Sequence, residues 1–386
     1  MKRGPSPSVL FIRPDHLGDV LLTLPAVAAL RHVLPEAQLT YAVPPATVSV
    51  PQHCAYLDAV LALPFPPPGR GAGTAGWSET VRGEAGKLAD AFDAALVLRP
   101  DDPWSGELVA AAGIPIRLGF DMPRTRPFLT DVLPVPGNAH VATHAFALAD
   151  ALLARLGVDA RTPRVFHPGF AVSEEEEHEA EAVLRDVHAD ERPIVLHPGS
   201  GWPLKNWPAR RWREVAAELA TRFERGLIVA GSGEEQALVR EVAAGTPAIA
   251  LAGRLSLGAL AAVHRRARLV VATDSGALHL AAAMGAPVVG LFGPADADMF
   301  APLCPVERRR IVRVALACSP CGTLEHPPCG AAIEPECIAA ISVDAVVTAA
   351  EELLRDEAAA PAGARGDALR PPFVPAELPL QNFSKA

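Results

Sequence analysis

Four residues that could do chemistry, Asp274, Ser275, Gly276 and His279, interrupt an otherwise apolar stretch, VVATDSGALHLAAAMGAPVVGLFGP (270–294). The pattern predicts a strand followed by a helix that begins near Ser275. Unpaired backbone N–H groups and the helix dipole at such a point favour a phosphate or another anion. The alternative is a capped helix with a hydrogen-bonded core histidine, but capping accounts for only one of these polar residues.

Two further polar turns follow apolar runs. In IVLHPGSGWPLKNWPARRWREVAAEL, Ser200 lies in a flexible loop, and Lys205 can reach a phosphate as a point charge, although an exposed lysine in a turn would look the same. In GLIVAGSGEEQALVREV, Ser232 and Glu235 have the spacing of a capping box. Glu234 is not needed for that box, and an acidic residue at such a strand end often binds ribose hydroxyls.

Asp19 follows the first predicted strand in FIRPDHLGDVLLTLPAVAALRHVLP, ahead of a helix that we predict to be amphipathic. Its carboxylate could cap that helix. It could also act as a general base on an acceptor hydroxyl.

Apolar strand candidates alternate with helical stretches along the chain, which predicts an α/β protein with two doubly wound parallel sheets. The predicted strands are 8–13, 38–43, 59–63, 94–99, 193–198, 226–231, 247–252, 268–273 and 286–293. We predict domains over 1–170 and 171–355 and a Pro/Ala-rich tail over 356–386, with Ser173 and Glu176 forming a capping box where the second domain begins. We interpret the acidic residues 174–177 as complements of a helix dipole.

Composition excludes several classes of protein. Half of the 386 residues are hydrophobic and the net charge is −9, so an obligatory nucleic-acid or anionic-membrane partner is not expected, although a local basic patch could still form. The first apolar run is too short for a signal peptide, and no run is long enough for a membrane span. We expect a cytoplasmic enzyme. The Pro/Gly-rich segment 64–79 and the chain from residue 358 are predicted to be loop-like.

Four cysteines, Cys318, Cys321, Cys329 and Cys337, lie in CSPCGTLEHPPCGAAIEPEC. They could supply four thiolates to a structural zinc or a metal cluster, but the spacing C-x2-C-x7-C-x7-C lacks the second close pair of ordinary zinc ribbons. Reduced thiols are the alternative, because disulfides rarely persist in a reducing cytoplasm.

The order and spacing of these motifs resemble glycosyltransferase family 9, the ADP-heptose heptosyltransferases of lipopolysaccharide core synthesis, over nearly all of residues 8–350. The matching motifs are IRPDHLGDVLLTLPAVAALR, HPGSGWPLKNWP, the GSGEE turn, LAGRLSLGALAAV and TDSGALHLAAAMGAPVVGLFGP. The resemblance implies a GT-B fold, in which two Rossmann-like domains face each other across a cleft. The N-terminal domain would bind the acceptor and the C-terminal domain the nucleotide sugar.

The resemblance also implies an inverting transfer of heptose from ADP-heptose that requires no metal or other cofactor. Asp19 would be the general base. The implied donor contacts are Ser200 and Lys205 to the diphosphate, Glu234 to the ribose, Leu255 to the adenine, Asp274 to the sugar, and Ser275, Gly276 and His279 to the phosphates.

The acceptor stays open, because family members that build the lipopolysaccharide core usually present basic surface whereas this chain is acidic. An LPS-core-like glycan, another lipid-linked glycan and a soluble small molecule are the candidates, with peripheral membrane contact in the lipid-linked cases. The arginines that could form a local acceptor patch are Arg99, Arg117, Arg124 and Arg126. Two other functions remain: a sugar-nucleotide epimerase, which needs no acceptor, and a non-catalytic protein that binds nucleotide sugars.

Overall fold

The structure is a computed structural model that describes residues 6–66, 77–135, 137–164, 167–187, 192–223 and 226–359. Residues 67–76 of the predicted loop, and the predicted tail beyond residue 359, lie outside the described residues. The chain divides into two compact units, the first ending at Phe170 and the second beginning at Ala171. Of the described helices, none is both long and apolar enough to cross a membrane.

Unit 1 contains one sheet of six parallel strands in the order β3-β2-β1-β4-β5-β6. Its strands are β1 (Ser8–Ile12), β2 (Gln38–Val43), β3 (Ala59–Ala62), β4 (Ala94–Val97), β5 (Ile116–Phe120) and β6 (Asp131–Leu133). Its helices are α1 (Leu17–Val33), α2 (Ser49–Gln52), α3 (Trp77–Leu88), α4 (Pro103–Ala111) and α5 (Val141–Arg155).

Unit 2 repeats this architecture with the order β12-β11-β10-β7-β8-β9, again parallel throughout. Its strands are β7 (Ile194–His197), β8 (Leu227–Gly231), β9 (Ile249–Ala252), β10 (Leu269–Thr273), β11 (Val288–Leu291) and β12 (Arg309–Val312). Its helices are α6 (Glu174–Asp186), α7 (Ala209–Phe223), α8 (Gln236–Ala243), α9 (Leu257–Arg266), α10 (Gly276–Ala283), α11 (Ala297–Phe300), α12 (Glu336–Ala339) and α13 (Val343–Ala359).

The central strands are continuous apolar runs because both of their faces are covered. In β7, Ile194 and Leu196 pack into one buried cluster and Val195 packs into another. Alternate side chains of a strand point to opposite faces, so this is the pattern of a parallel sheet buried between two layers of helices. The two sheets have the doubly wound α/β architecture of the GT-B class, which confirms the predicted fold class.

Each predicted strand range contains a strand, but the structure adds three that the pattern did not indicate: β5, β6 and β12. Arginine or aspartate occupies part of each, and they lie toward the edges of the sheets, where only partial burial is required. Their apolar signal is therefore weak. The capping box of Ser173 and Glu176 is confirmed at the start of α6.

The prediction that α1 is amphipathic is wrong. Every residue from Val20 to Leu30 is buried, and the helix packs against α5 as well as under the sheet. Asp19 lies in the first turn of this helix and stays partly exposed. A charged side chain on an otherwise buried helix is thus held at the carboxyl edge of the sheet, where β1 ends.

Candidate functional site

The second sheet reverses its strand order between β7 and β10, which lie side by side with Ala272 opposite His197. Such a reversal leaves a crevice beyond the carboxyl ends of the two strands, and ligands of open α/β sheets bind there. The polar loop after β7 and the Asp-Ser-Gly turn after β10 both leave the sheet at this point. Thr273 Oγ1 joins them by donating to the Gly199 carbonyl at 3.1 Å.

An ion pair links the two loops. Lys205 Nζ lies 2.6 Å from Asp274 Oδ2, and His279 Nε2 lies 3.6 Å from Asp274 Oδ1. Burial alone would raise the pKa of Asp274, but the Lys205 ammonium and the His279 ring lower it to about 2. Asp274 is therefore a carboxylate at neutral pH, and it holds Lys205 at the mouth of the crevice.

Helix α10 begins beside this pair with Ser275 as its N-cap residue, as predicted. The backbone N–H groups of Gly276 and Ala277 belong to the first helical turn, where no intrahelical acceptor exists. Ser275 Oγ and His279 Nδ1 are buried and have no hydrogen-bond partner within the described part of the chain. Buried polar atoms are normally satisfied, so a bound anion can use these donors.

Ser200 lies in the loop after β7, and its hydroxyl has partners within that loop. Its hydroxyl lies 2.7 Å from the Trp202 carbonyl, to which it donates, and 2.8 Å from the Asn206 side-chain amide. These contacts close the loop on itself and bring Lys205, in the short 3-10 turn Pro203–Lys205, toward Asp274. Ser200 thus shapes the loop with its side chain, and its predicted contact with the diphosphate stays a prediction.

The neighbouring strand ends, at β8 and β9, contain the other predicted donor residues. Glu235 Oε2 accepts the Ser232 N–H at 2.7 Å, but α8 begins only at Gln236, so the predicted capping box forms in half. The Glu235 carboxylate packs directly against Gly199, in the space that a Cβ at residue 199 would take. Glu234 is exposed and Leu255 half-buried on these loops, so both can contact a ligand lying along the sheet edge.

The first sheet has a corresponding reversal between β1 and β4, and charged residues follow both strands. Arg13 Nε lies 2.8 Å from Asp15 Oδ2, and Arg13 Nη2 lies 3.3 Å from Asp19 Oδ1. Arg99 Nη1, beyond β4, lies 3.2 Å from the other oxygen of Asp15. Asp19 is therefore one end of a chain of alternating charges at the edge of the sheet.

The family of the chain follows from comparison with known proteins. Residues 87–327 match the family described as glycosyltransferase family 9 (heptosyltransferase). The chain belongs to this family. Lipopolysaccharide heptosyltransferase 1 of Salmonella typhimurium strain LT2 is 27% identical over 296 residues, which are 75% of this chain and 89% of that protein. The chain is accordingly a glycosyltransferase.

Solved structures agree in fold. The ADP-heptose LPS heptosyltransferase II of Escherichia coli matches with a TM-score of 0.70 and 22% identity over 91% of this chain and 100% of that one. The Escherichia coli heptosyltransferase WaaC with ADP-2-deoxy-2-fluoro heptose matches with a TM-score of 0.62 and 20% identity over 89% and 99% of the two chains.

Each of the four arginines predicted as an acceptor patch has a partner within unit 1 of this family 9 glycosyltransferase. Arg117 donates to the carbonyls of Phe128 and Ile114 at 2.7 and 2.6 Å. Arg126 pairs with Asp121 at 2.8 Å, and both arginines thereby stabilise their own loops. Arg99 pairs with Asp15, and Arg124 makes a long, exposed pair with an aspartate after β4. Arg99, Arg124 and Arg126 lie on the loops that follow β4 and β5, at the carboxyl edge of the sheet.

The cysteines of this glycosyltransferase are free thiols. Cys318 and Cys329 are exposed, Cys321 is half-buried, and Cys337 is buried, which raises the pKa of its thiol. Within the described ranges, no three His, Cys, Asp or Glu side chains lie close enough to hold a metal ion. The described arrangement therefore does not fit the structural zinc or cluster that the spacing suggested, and free thiols are what it contains.

Three residues at the two crevices of this glycosyltransferase were not singled out from the sequence: Arg13, Asp15 and Asn206. Arg13 and Asp15 follow β1 directly, so the rule that located Asp274 at a strand end would also have indicated them. No pattern in the sequence indicated Asn206, because its contact with Ser200 depends on the path of the loop.

Proposed function

We propose that the protein transfers a heptose from ADP-heptose, with inversion at the anomeric carbon, to a hydroxyl of a lipopolysaccharide-core-like glycan. Two of the similar proteins are lipopolysaccharide heptosyltransferases, and WaaC was solved with an ADP-heptose analogue. In this proposal the chain up to residue 170 binds the acceptor, and the chain over 171–355 binds the donor.

The observation that carries the proposal is the Lys205–Asp274–His279 cluster at the strand reversal of unit 2. A nucleotide sugar is an anionic diphosphate joined to a polyhydroxylated ring. Lys205 and the first turn of α10, with Ser275 and Gly276, offer positive charge and N–H donors for the diphosphate. Asp274 offers carboxylate oxygens that can accept hydrogen bonds from sugar hydroxyls.

The remaining donor contacts follow from position along the same sheet edge. His279 presents a buried ring nitrogen that can donate to a phosphate oxygen. Exposed Glu234 would accept hydrogen bonds from the ribose hydroxyls, and half-buried Leu255 would pack against the adenine. Ser200 would act through the loop, whose backbone and Lys205 approach the diphosphate.

In the reaction, the Asp19 carboxylate takes the proton of the acceptor hydroxyl as that oxygen attacks the anomeric carbon. The new glycosidic C–O bond forms on the face opposite the diphosphate, and the bond from the anomeric carbon to the phosphate oxygen breaks. ADP leaves with the bonding electron pair, so the anomeric configuration inverts. Lys205 and the N-terminus of α10 stabilise the charge that develops on the leaving diphosphate.

Fewer contacts are proposed for the acceptor than for the donor. Arg99, Arg124 and Arg126 are the predicted arginines on loops at the carboxyl edge of the first sheet, and each could contact an anionic group of a core glycan. This assignment is consistent with a locally charged surface on a chain whose net charge is −9.

A calorimetric titration tests the donor. We expect ADP and ADP-heptose to bind and UDP and GDP to bind far more weakly. Incubation with ADP-heptose and a heptose-deficient lipopolysaccharide should then release ADP and add one heptose to the acceptor, measured by mass spectrometry. Preference for another nucleotide would overturn the donor assignment. Release of an isomerised nucleotide sugar without any acceptor would favour an epimerase.

A further inference from the structure

The Arg13 side chain at the end of β1 is the best-fixed charged group near Asp19. It is only 5% exposed, and its backbone N–H donates to Ala42 of β2 at 3.1 Å. Arg13 Nη1 donates to the Leu98 carbonyl beyond β4 at 3.1 Å. The guanidinium is therefore anchored to the backbone after β4, and the Arg13 main chain to β2, before either carboxylate is considered.

The geometry of the guanidinium distributes its donors in different directions. Nη1 donates to the Leu98 carbonyl and Nη2 to Asp19, whereas Nε forms an ion pair with Asp15 without hydrogen-bond geometry. A planar guanidinium has five N–H donors in a rigid fork, which a lysine ammonium cannot reproduce. An anchored fork of this kind limits the orientations available to the Asp19 carboxylate.

Asp15 lies on the other side of the guanidinium. Its two oxygens contact different arginines, Oδ2 to Arg13 and Oδ1 to Arg99. The two middle members of the chain of charges are the most buried, since Asp15 is 11% and Arg13 6% exposed, whereas Asp19 is 25% exposed. The better-buried members thus brace the member that faces solvent.

We propose that Arg13 is a positioning residue for Asp19, that it fixes the carboxylate and keeps it ionised, and that Asp15 tunes this effect from the opposite side. The inference rests on the proposed function, in which Asp19 is the general base. Arg13 does not touch substrate in this proposal. It acts only through Asp19. It orients the carboxylate that takes the proton, and it stabilises the negative charge of that carboxylate before the acceptor hydroxyl is deprotonated.

Other charged and titratable groups face this network. The groups beside Arg13 and Asp15 are Arg99, Asp102, Tyr41 of β2 and His144 of α5. Burial raises the pKa of Tyr41 and lowers the pKa of His144, so both side chains are neutral at pH 7. Among the described contacts of Asp19, the Arg13 guanidinium is the charged group within ion-pair distance, and Asp15 lies on the far side of it.

The two neighbours of the guanidinium have opposite expected effects on Asp19. In R13Q the stabilising positive charge is lost, so the acid limb of the kcat/KM profile should move to higher pH by about one unit or more. In D15N the Asp15 charge no longer offsets part of the Arg13 charge, so Arg13 stabilises the Asp19 carboxylate more strongly. The acid limb of the kcat/KM profile should therefore move to lower pH. A merely structural role of Arg13 would give no such pair of opposite shifts.

A double-mutant cycle tests whether Arg13 acts through Asp19. We expect R13Q alone to reduce kcat about 100-fold, since misplacing a catalytic group by a small distance can have this effect. Added to D19N, R13Q should reduce kcat no further, because the group that it positions is already absent. R31Q is the matched control: Arg31 lies at the far end of α1, where it holds the Tyr56 carbonyl and Asp58. It should leave kcat and the acid limb unchanged.

Two measurements separate folding from positioning. ADP affinity, measured by calorimetry, and the thermal unfolding midpoint should show that R13Q is folded and binds the donor. If R13Q does not fold, R13K and D15N carry the test, and R13K should lose kcat while its acid limb moves less than in R13Q. An R13Q substitution that reduces kcat by the same factor in the wild-type and D19N backgrounds would overturn the proposal. Acid limbs that do not move in these variants would overturn it as well.

Failure of the proposed function can be recognised separately. Full turnover in D19N would overturn Asp19 as the base. The carboxyl titration of Asp19, followed by NMR in protein labelled at aspartate carboxyl carbons and assigned with D19N, measures the coupling without any turnover. A titration midpoint that moves up in R13Q and down in D15N supports the electrostatic part of the proposal, and an unmoved midpoint overturns it.

Discussion

Lys205 Nζ and Asp274 Oδ2 lie 2.6 Å apart at the strand reversal of unit 2, and the Asp274 side chain is only 5% exposed. The pair is more than an exposed ion pair of little energetic value. The Asp274 carboxylate is already paired with the Lys205 ammonium, the cation that a diphosphate would contact. Donor binding therefore has to weaken or rearrange the Lys205–Asp274 ion pair. Substitutions of Lys205 and of Asp274 should have different effects on donor binding.

Replacing Lys205 by alanine should weaken ADP binding about 10- to 100-fold, the loss of one hydrogen bond to a charged group. Replacing Asp274 by asparagine should have the opposite effect on ADP, several-fold tighter binding, because a negative charge beside the diphosphate is removed. D274N should nevertheless lose turnover of ADP-heptose if Asp274 holds the sugar. Calorimetry with ADP and an ADP-release assay measure both, and weaker ADP binding in D274N would contradict the repulsion argument.

Asp19 should act on turnover and leave donor affinity unaltered. D19N keeps the size and shape of the side chain and removes its basicity, so kcat should fall by about 100- to 10,000-fold while the Kd for ADP stays within two-fold. Initial rates with a heptose-deficient lipopolysaccharide and ADP calorimetry on the same preparation make this comparison. Reduced ADP affinity in D19N would instead indicate a role on the nucleotide side.

Two buried histidines should make unit 2 sensitive to acid. His197 and His264 face each other with their Nε2 atoms 2.8 Å apart. Burial lowers the pKa of His197 to about 4 and, together with His197, lowers the pKa of His264 well below its ordinary value. Both are neutral in the folded state, and the unfolded state binds protons below about pH 6.5. Their stability contribution is present above that pH and is lost as the pH falls toward 4.

The size of this effect follows from the shift of His197, which amounts to about 3 kcal/mol at most. Urea unfolding at pH 7.5, 6 and 5 should show the loss, followed by fluorescence because Trp207 and Trp212 are buried in unit 2. H264Q removes one titrating group and should flatten the pH dependence. An H264Q profile as steep as that of the wild type would show that other groups cause the acid sensitivity.

Asp102 should have the opposite pH dependence. Burial raises its pKa to about 6, although its side chain accepts the Ser105 N–H and caps α4. The folded state thus favours the protonated form, and stability is lost as the pH rises from about 4 through 6. D102N keeps the cap without the buried charge, so it should stabilise the protein by about 1 to 3 kcal/mol at pH 8 and by much less at pH 5. Unfolding midpoints at the two pH values test this difference.

The sequence by itself determined the alternation of strands and helices. Each of the nine predicted strand ranges contains a strand because these ranges are mostly apolar runs, whereas β5, β6 and β12 each include arginine or aspartate. It also determined the family, because the order and spacing of several motifs are specific together. The start of α10 at Ser275 and the capping box of Ser173 followed from local hydrogen bonding, which the sequence expresses directly.

Tertiary structure alone decided which polar side chains meet. Lys205 contacts Asp274 because β10 inserts beside β7 rather than beside β9, and Arg99 contacts Asp15 because β4 lies next to β1. These neighbours are far apart in the chain, so no local pattern encodes them. The same holds for the predicted arginine patch and the four cysteines: composition indicates that charges and thiols are present, but only the packing of strands and loops determines the distances between them.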